Sequence, residues 1–315
     1  MTNISTADYC PHSLSLINVF NELQQNIDNP LIRHLDKKLL KKYEDVKTKY
    51  GNSLASCLYV GIVKNDEVLP RFYDPDCYEK FFEYISPTIK DYFNIKDNIS
   101  SNVMYLADNS LNLEYLQQIN FPFTTIFKVQ AAVHRNIKNY PFSPGLSLKE
   151  RLNIEQMITS LLMKFDDDLD GHYVHMKDVT EKVAKRLAAL DIETRISDGI
   201  HPNIGIRRDW PQGRGIYYNR TAELIIYVGF EDHIELISRT RNVKNESITT
   251  SMIHNVYLRI VRVFEHLQKK LDFSSNSTLG YLSFNPAWLG HATKWEMAVR
   301  LNEIPRLPNF IVVER

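Results

Sequence analysis

The amino-acid sequence predicts a small all-helical N-terminal domain followed by a larger α+β domain. Apolar residues in the first third of the chain recur at helical spacing, whereas from residue 121 onward short β-rich runs alternate with helical patterns. Between them, residues 96–120 are polar, rich in Asn and Ser and weakly periodic, which is typical of a linker. We therefore expect a helical domain over 1–95, a linker over 96–120 and an α+β domain over 121–315.

Two apolar stripes predict helices in the N-terminal part. Both have the spacing of one helical face, which favours a packing surface over a ligand site. Because Pro87 lies inside the second stripe, we expect that helix to kink or restart there. The stripes consist of Leu16, Val19, Phe20, Leu23 and Ile27, and of Tyr78, Phe81, Phe82, Ile85, Ile89 and Phe93.

The second part alternates strand and helix patterns. Ser147 and Glu150 form a capping box that should start a helix. Further apolar stripes predict helices near residues 179–190 and 256–267. Strand patterns occur at 126–133, at 224–228, at 279–284, at the alternating run 294–301 and at 310–313.

Composition excludes several classes of protein. Lys plus Arg and Asp plus Glu both number 38, so no net charge steers the chain toward nucleic acid or an anionic membrane. Cys10, Cys57 and Cys77 are widely spaced and odd in number, which argues against a disulfide framework. The N-terminus has no signal-peptide pattern, and no apolar run approaches the length of a membrane span. We expect a cytoplasmic protein without nucleic-acid binding or membrane insertion.

Two short motifs resemble metal sites but are incomplete. Residues Asp166–Gly171 match the first half of a calcium loop, yet Lys177 stands where the loop needs a bidentate Glu. His172 and His175 have no Cys or Glu at a spacing that would complete a zinc site. There is also no Walker A or dinucleotide-binding glycine motif. We expect a solvated acidic turn and no metal site.

A series of motifs along the chain resembles the arginine kinase, or phosphagen kinase, family. Each motif is weak alone, but together they follow the family's order and spacing. They are Asn29–Leu35, Tyr73–Asp76, Tyr140–Pro144, Asp168–Tyr173, Arg208–Asn219, Phe230–Ile234 and Gly280–Gly290. The resemblance implies an antiparallel sheet flanked by helices and reversible phosphoryl transfer between MgATP and a guanidino compound.

The residues that the resemblance assigns to chemistry are mostly changed. The two arginines of the family's S-T-R-V-R strand correspond to Gln130 and Ala132. A third phosphate-binding arginine corresponds to Glu235 and a fourth to Lys294, while the substrate-site cysteine corresponds to Asn285. A fifth arginine and one substrate carboxylate belong to a loop beyond the last matched strand, so we expect a C-terminally shortened member without that loop.

Other family positions are kept. Glu231 corresponds to the remaining substrate carboxylate, and Tyr73 is what remains of the segment that closes on substrate. Gly213 and Gly215 keep the glycine-rich frame. A carboxylate without its partners does not clamp a guanidinium, so a purely structural role for Glu231, paired with His233, is the competing interpretation.

The energy and rate expected to be lost with each missing arginine decide the predicted activity. Each phosphate–arginine bond is worth a net of roughly 1–3 kcal/mol, and loss of one such arginine slows a phosphoryl-transfer enzyme by about 10³-fold. Several losses together should abolish catalysis. We therefore expect no enzyme and no nucleotide cofactor, but a pseudoenzyme that serves as a structural or binding subunit for protein partners, as in a cytoskeletal or flagellar assembly.

Two alternatives remain open. The first is residual or altered ATP:guanidino phosphotransferase activity with a rebuilt phosphate pocket, and the second is binding of a guanidino ligand through Glu231 without transfer. The cations available for a rebuilt pocket are Arg135, Arg207, Arg208, Arg214 and Lys294.

Overall fold

A computed structural model describes residues 14–26, 28–64, 67–96, 126–194, 204–241 and 248–299. It has a helical N-terminal part and an antiparallel sheet flanked by helices, which is the predicted α+β class. Among these residues, no helix combines the length and apolar character that a membrane span requires. The predicted linker at 96–120 and the predicted strand at 310–313 lie outside the described residues, apart from Lys96.

Within the described residues, six short helices form the N-terminal part. The first begins at the side-chain cap Ser15 and buries Leu16, Val19 and Leu23, which confirms the first apolar stripe. Ile27 lies outside the described residues. The helices are α1 (Leu16–Leu23), α2 (Lys37–Tyr43), α3 (Leu54–Leu58), α4 (Val60–Val63), α5 (Asp76–Lys80) and α6 (Phe82–Phe93).

The second stripe folds differently from the prediction. The break lies at Phe81, where α5 and α6 meet, and α6 continues through Pro87 instead of restarting there. Phe82 and Phe93 are 40% and 41% exposed, while Tyr84 is buried in their place. The break at Phe81 shifts the register of the apolar face, which a single uninterrupted helical pattern did not anticipate.

A six-stranded antiparallel sheet dominates the second part. Its spatial order is β2-β3-β4-β5-β1-β8, and a separate hairpin pairs β6 with β7. The strands are β1 (Ile126–Arg135), β2 (Gly171–His175), β3 (Gly215–Asn219), β4 (Leu224–Val228), β5 (Ile234–Arg239), β6 (Ser275–Asn276), β7 (Gly280–Tyr281) and β8 (Thr293–Val299). The run 279–284, predicted as a full strand, forms only the two-residue β7 because the chain turns away to meet the helical part.

Helices cover one face of the sheet and part of the other. Strands β1, β3, β4 and β5 pack one face against α7 (Leu148–Leu162) and α9 (Thr250–Gln268), as the predicted stripes require. On the opposite face, β3 and β4 pack against α8 (Glu181–Ala189). Beside α8 the same face bears polar side chains of β1, β5 and β8, so a cleft lies there.

The two parts share one hydrophobic core. Phe284 is fully buried among helical residues, and its carbonyl accepts a hydrogen bond from the Phe72 N–H at 2.9 Å. The Tyr78 hydroxyl donates to the Ser283 carbonyl at 2.7 Å. The loop between β7 and β8 therefore docks the helical part on the sheet, next to the cleft.

Candidate active site

The cleft has a volume of about 290 Å³, which is small for a ligand pocket. Its floor consists of alternate residues of the central strands, because side chains two apart on a strand share a face. The lining residues are Lys128, Gln130, Ala132, Asp191, Glu193, Ile225, Tyr227, Glu235, Ile237, Arg239, Trp288, Lys294 and Glu296.

Four of the family positions singled out in the sequence come together in this cleft. Gln130 and Ala132 lie on β1, where Ala132 pairs with Lys294 of β8. Glu235 of β5 is buried and pairs with His134, the next residue on the same face of β1. The structure therefore brings together four positions that the sequence singled out, and the role assigned to each of them stays a prediction.

Lys128 is a cation that position-by-position reasoning missed. It lies two residues before Gln130 on β1, so its side chain faces the same cleft. Its ammonium nitrogen is 3.8 Å from the Asp191 carboxylate, and Lys294 is 2.6 Å from Glu296. These partners are 75% and 44% exposed, and exposed pairs contribute little stability, so a ligand can compete for both lysines.

Arg239 is a third cation of the cleft, but it is held in place. Its guanidinium donates to the carbonyls of Leu190, Asp191 and Ala222 at 2.7–3.0 Å. The lining carries these three cations and four carboxylates, at Asp191, Glu193, Glu235 and Glu296. The cleft is therefore less basic than a phosphate site built from arginines.

Asn285 and Tyr73 lie outside the cleft lining. The Asn285 side chain caps a short 3₁₀ turn by accepting from the Ala287 N–H at 3.1 Å. Tyr73 is buried, its ring stands edge-on to Phe284, and its carbonyl accepts from the Phe142 N–H. Tyr73 thus contributes to the core between the two parts, and its substrate contact stays a prediction.

Glu231 lies in the turn between β4 and β5, and it is half-buried. Burial and the neighbouring Asp232 carboxylate raise its pKa, although Arg71 and His134 oppose that shift. His233 is not its partner, since the two ring nitrogens of His233 bond to the Ile137 N–H and the Pro141 carbonyl at 2.9 Å. The predicted structural pairing of Glu231 with His233 is therefore wrong.

A buried ionic pair lies beneath the cleft. His134 Nδ1 is 2.9 Å from Asp232, and Trp288 stacks on the imidazole at 3.8 Å between ring centroids. Burial alone would lower the pKa of His134, but the Asp232 hydrogen bond and nearby carboxylates raise it overall. Strand alternation from Gln130 and Ala132 was the signal that could have placed His134 on this face.

The arginines that the sequence suggested for a rebuilt phosphate pocket lie outside the cleft. The Arg135 guanidinium is 3.6 Å from the centroid of the Tyr281 ring and 5.0 Å from that of Phe264. Arg208 and Arg214 adjoin a different buried arginine, Arg151, and none of these residues lines the cleft. Of the cations proposed from the sequence, Lys294 is the one that lines it.

Within the described ranges, no group of three His, Cys, Asp or Glu side chains could hold a metal ion. The acidic run that imitates a calcium loop forms a 3₁₀ turn at Asp167–Leu169. Asp168 in this turn pairs with Arg262 of α9, and Asp170 pairs with Arg220.

Comparison with known proteins gives two matching family models. One, described as ATP:guanido phosphotransferase, C-terminal catalytic domain, matches residues 153–309. The other, described as ATP:guanido phosphotransferase, N-terminal domain, matches residues 25–90. Together they cover more than two thirds of the chain, in the order that the sequence motifs predicted.

The chain is similar to several kinases. It is 28% identical over 282 residues to an arginine kinase of Amphioctopus fangsiao, covering 89% of this chain and 78% of that one. It is 26% identical to a taurocyamine kinase of Schistosoma mansoni, covering 88% of this chain but 36% of that one. The chain thus spans about a third of the taurocyamine kinase and about four fifths of the molluscan protein.

Solved structures show the same fold. The substrate-free duplicated taurocyamine kinase from Schistosoma mansoni superimposes with a TM-score of 0.81 at 24% identity, covering 94% of this chain and 41% of that chain. A lombricine kinase superimposes with a TM-score of 0.75 at 21% identity, covering 92% and 80%.

These matches contradict the expectation that the chain is no enzyme. The matching model is that of a catalytic domain, and the relatives with high coverage are kinases. The expectation of no nucleotide is likewise unsupported, because the family description names ATP. The expectation rested on the lost arginines alone and did not count Lys128, which lines the same cleft.

Proposed function

The chain belongs to the ATP:guanido phosphotransferase family, and from this we propose that it transfers a phosphoryl group between ATP and a guanidino compound, using a phosphate site that differs from the family pattern. This is the alternative that the sequence left open. The site combines the Glu231 carboxylate, which interacts electrostatically with His134 and the cleft residue Glu235, with lysines along the cleft floor.

Glu231 is the observation that carries the proposal. No hydrogen bond or ion pair to its carboxylate is found among the described residues, and burial with Asp232 raises its pKa. A half-buried carboxylate of this kind gains most from a cationic ligand, because the opposite charge offsets the cost of burial. A planar guanidinium can also bond to both carboxylate oxygens.

The surroundings of Glu231 favour a guanidino ligand at its carboxylate. Its neighbour Asp232 accepts from Ser283 Oγ at 2.6 Å and from the Phe284 N–H at 3.1 Å. That loop in turn holds the segment ending at Phe72, which comes from the helical part. Residues of both parts thus lie close to Asp232, and Arg71 of the helical part also acts electrostatically on Glu231 itself.

Lys128 and Lys294 supply the charge for the nucleotide phosphates. Both ammonium groups project from neighbouring strands into the cleft, and their present carboxylate partners are exposed. A lysine is a point charge without the planar fork of arginine, so phosphate positioning should be looser than in a site of arginines. We expect slow turnover and a high KM for ATP.

In this reaction the bond between the terminal phosphorus of ATP and its bridging oxygen breaks, and ADP keeps the electron pair. A phosphorus–nitrogen bond forms to the guanidino group, which loses one proton. The contribution of this chain is positioning and electrostatics, with Glu231 orienting the guanidinium and the two lysines orienting the phosphates.

A coupled ADP-release assay tests the proposal. MgATP should support turnover with at least one of arginine, taurocyamine and lombricine, and Glu231→Gln should lower kcat/KM by about 10²-fold or more, because the amide cannot balance the guanidinium charge. Asp168→Asn, which removes an exposed carboxylate paired with Arg262, is the matched control and should leave turnover unchanged.

Two results would count against transfer. Turnover that is equal in the wild type and in Glu231→Gln would remove Glu231 from the site. Calorimetric binding of a guanidino compound without any turnover would instead favour ligand sensing. The expected protein partners in a larger assembly stay a prediction that this assay does not address.

A further inference from the structure

A second group of cationic side chains lies apart from the cleft. Arg151 is in the first turn of α7, and Arg208 and Arg214 come from the segment before β3. One carboxylate accompanies them, since the Asp209 Oδ2 atom is 3.8 Å from Arg151 Nε and 3.6 Å from Arg208 Nε. These three guanidinium groups and one carboxylate leave an excess of two positive charges, and Arg207, which also acts on Arg214, adds to it.

Four buried polar atoms in this group have no hydrogen-bond partner among the described residues. They are Nε and Nη1 of Arg151, Nε of Arg214 and Oγ of Ser143. All three residues are at most 1% exposed. Arg151 bonds to the Ser143 carbonyl and interacts electrostatically with Arg214, so the orphan atoms belong to neighbouring residues. Because buried polar groups in native proteins are nearly always paired, these four atoms indicate a missing acceptor.

Other guanidinium nitrogens of Arg151 and Arg214 are hydrogen-bonded and hold these two side chains in place. Arg151 Nη2 donates to the Ser143 carbonyl at 2.8 Å, and Arg214 Nη2 donates to the Ile206 carbonyl at 2.7 Å. Gly213 has a φ of +65°, and a Cβ atom there would lie 2.4 Å from Arg151 Cγ. The backbone thus presses against Arg151 and fixes the direction of its unpaired N–H groups.

We propose that Arg151, Arg214 and Ser143, with Arg208 at the rim, bind a tetrahedral oxyanion such as inorganic phosphate. The orphan guanidinium nitrogens are donors, and the hydroxyl can donate as well, which matches an acceptor-only ligand. A hydrogenphosphate dianion balances the excess charge, and its oxygens point in several directions toward donors from separate segments. A single water molecule accepts too few bonds and leaves the charge unbalanced.

The electrostatics agree with this assignment. Burial, followed by the neighbouring arginines, lowers the pKa of Arg214 to about 8, and burial lowers that of Arg151 to about 10. A bound anion would offset both effects.

The proposed oxyanion site lies where the helical part meets the sheet. Ile206, whose carbonyl binds Arg214, packs in the core of the helical part, and so does Phe142, which precedes Ser143. The oxyanion would therefore join the helical part to the sheet next to the core that they share. It is separate from the nucleotide cleft, so the inference stands independently of the proposed transfer reaction.

Thermal unfolding and calorimetry with inorganic phosphate test the site, using sodium chloride at equal ionic strength as the reference. We expect a saturable rise in melting temperature with phosphate. Arg208→Gln should raise the Kd about tenfold, because it removes one charged donor at the rim. Asp209→Asn should lower the Kd, since it removes the competing carboxylate. Asn tolerates the positive φ of 59° at this position.

Two control variants locate the binding. Arg262→Gln removes an exposed, paired arginine far from the group and should leave the Kd unchanged. Lys294→Gln lies in the cleft and should also leave it unchanged. A parallel titration with ADP separates free phosphate from a nucleotide phosphate.

The proposal is overturned if phosphate stabilises the protein no more than chloride, which would mean that water fills the group. It is also overturned if Arg208→Gln and Arg262→Gln bind phosphate equally well, or if Asp209→Asn weakens binding. Loss of the phosphate effect in Lys294→Gln, or an effect of ADP without one of phosphate, would assign binding to the cleft instead.

Discussion

Replacing Asp232 by Asn should destabilise the fold more than any surface change. The Asp232 carboxylate is 1% exposed and accepts four hydrogen bonds, from His134, Asn136, Ser283 and the Phe284 N–H. An Asn side chain keeps one acceptor oxygen, for Asn136 and the Phe284 N–H, but turns an amino group toward His134 and Ser283. The Ser283 hydroxyl can rotate to accept, whereas a protonated His134 cannot.

The cost follows from breaking a buried ion pair. Removing one partner of such a pair costs about 3–5 kcal/mol, because the other charge is left uncompensated. Rotation of Ser283 recovers part of this, so we expect a loss of about 3 kcal/mol near pH 6. The matched control is Asp168→Asn, whose carboxylate is exposed and pairs with Arg262, and it should cost less than about 0.5 kcal/mol.

The loss should depend on pH in a defined direction. Overall the pKa of His134 is raised above its ordinary value of 6.5, so its pairing stabilises the fold fully below that value and less as pH rises through the raised pKa. The pKa of Asp232 is lowered from 3.8, because His134 and the other donors outweigh burial, so its contribution fades only as pH falls below that value. The cost of Asp232→Asn should therefore be larger at pH 6 than at pH 9.

Urea unfolding followed by tryptophan fluorescence at pH 6 and pH 9 measures these differences. A cost for Asp232→Asn that is below 1 kcal/mol, or equal at the two pH values, would refute the assignment of a charged His134–Asp232 pair. Equal costs for Asp232→Asn and Asp168→Asn would do the same.

Three further outcomes are expected. Ser147→Ala removes the cap of α7, including the two bonds of the Ser147 hydroxyl to Glu150, and should lower the free energy of unfolding by about 1 kcal/mol in a urea titration. Phe284→Ala leaves a cavity in the shared core and should cost about 3–5 kcal/mol by the same measurement. Glu235→Gln removes a negative charge from the cleft floor and should lower the KM for ATP by about tenfold in the coupled assay, whereas an unchanged or higher KM would place the phosphates elsewhere.

The sequence predicted the elements whose pattern is strong and local. The capping box at Ser147, the apolar stripe of α9 and the buried strand β4 are all set by neighbouring residues along the chain. It did not predict β2, β3 or β5, whose formation also depends on distant segments, since β2 pairs with β3 and β5 pairs with β1. It also missed the break at Phe81, which tertiary packing determines.

In the candidate site, too, the sequence revealed the features that motifs carry and missed those that depend on distant residues. Alignment with family motifs identified Gln130, Ala132, Glu235 and Lys294, and these do line one cleft. The pairing of His134 with Asp232 joins strands nearly a hundred residues apart, so no local pattern reveals it. Lys128 was also not counted, because matching one position at a time does not consider other residues on the same strand face.

The insertion of Phe284 into the core of the helices has a consequence for how the protein melts. Ile204, Ile206, Leu279 and Leu282 enter that core as well, so the helices complete their apolar packing only with residues from the second half of the chain. Differential scanning calorimetry should then show one transition, with equal calorimetric and van't Hoff enthalpies. Amide hydrogens of α3 and β4 should exchange together, through opening of the whole molecule, and a fragment of residues 1–95 alone should lack a cooperative transition.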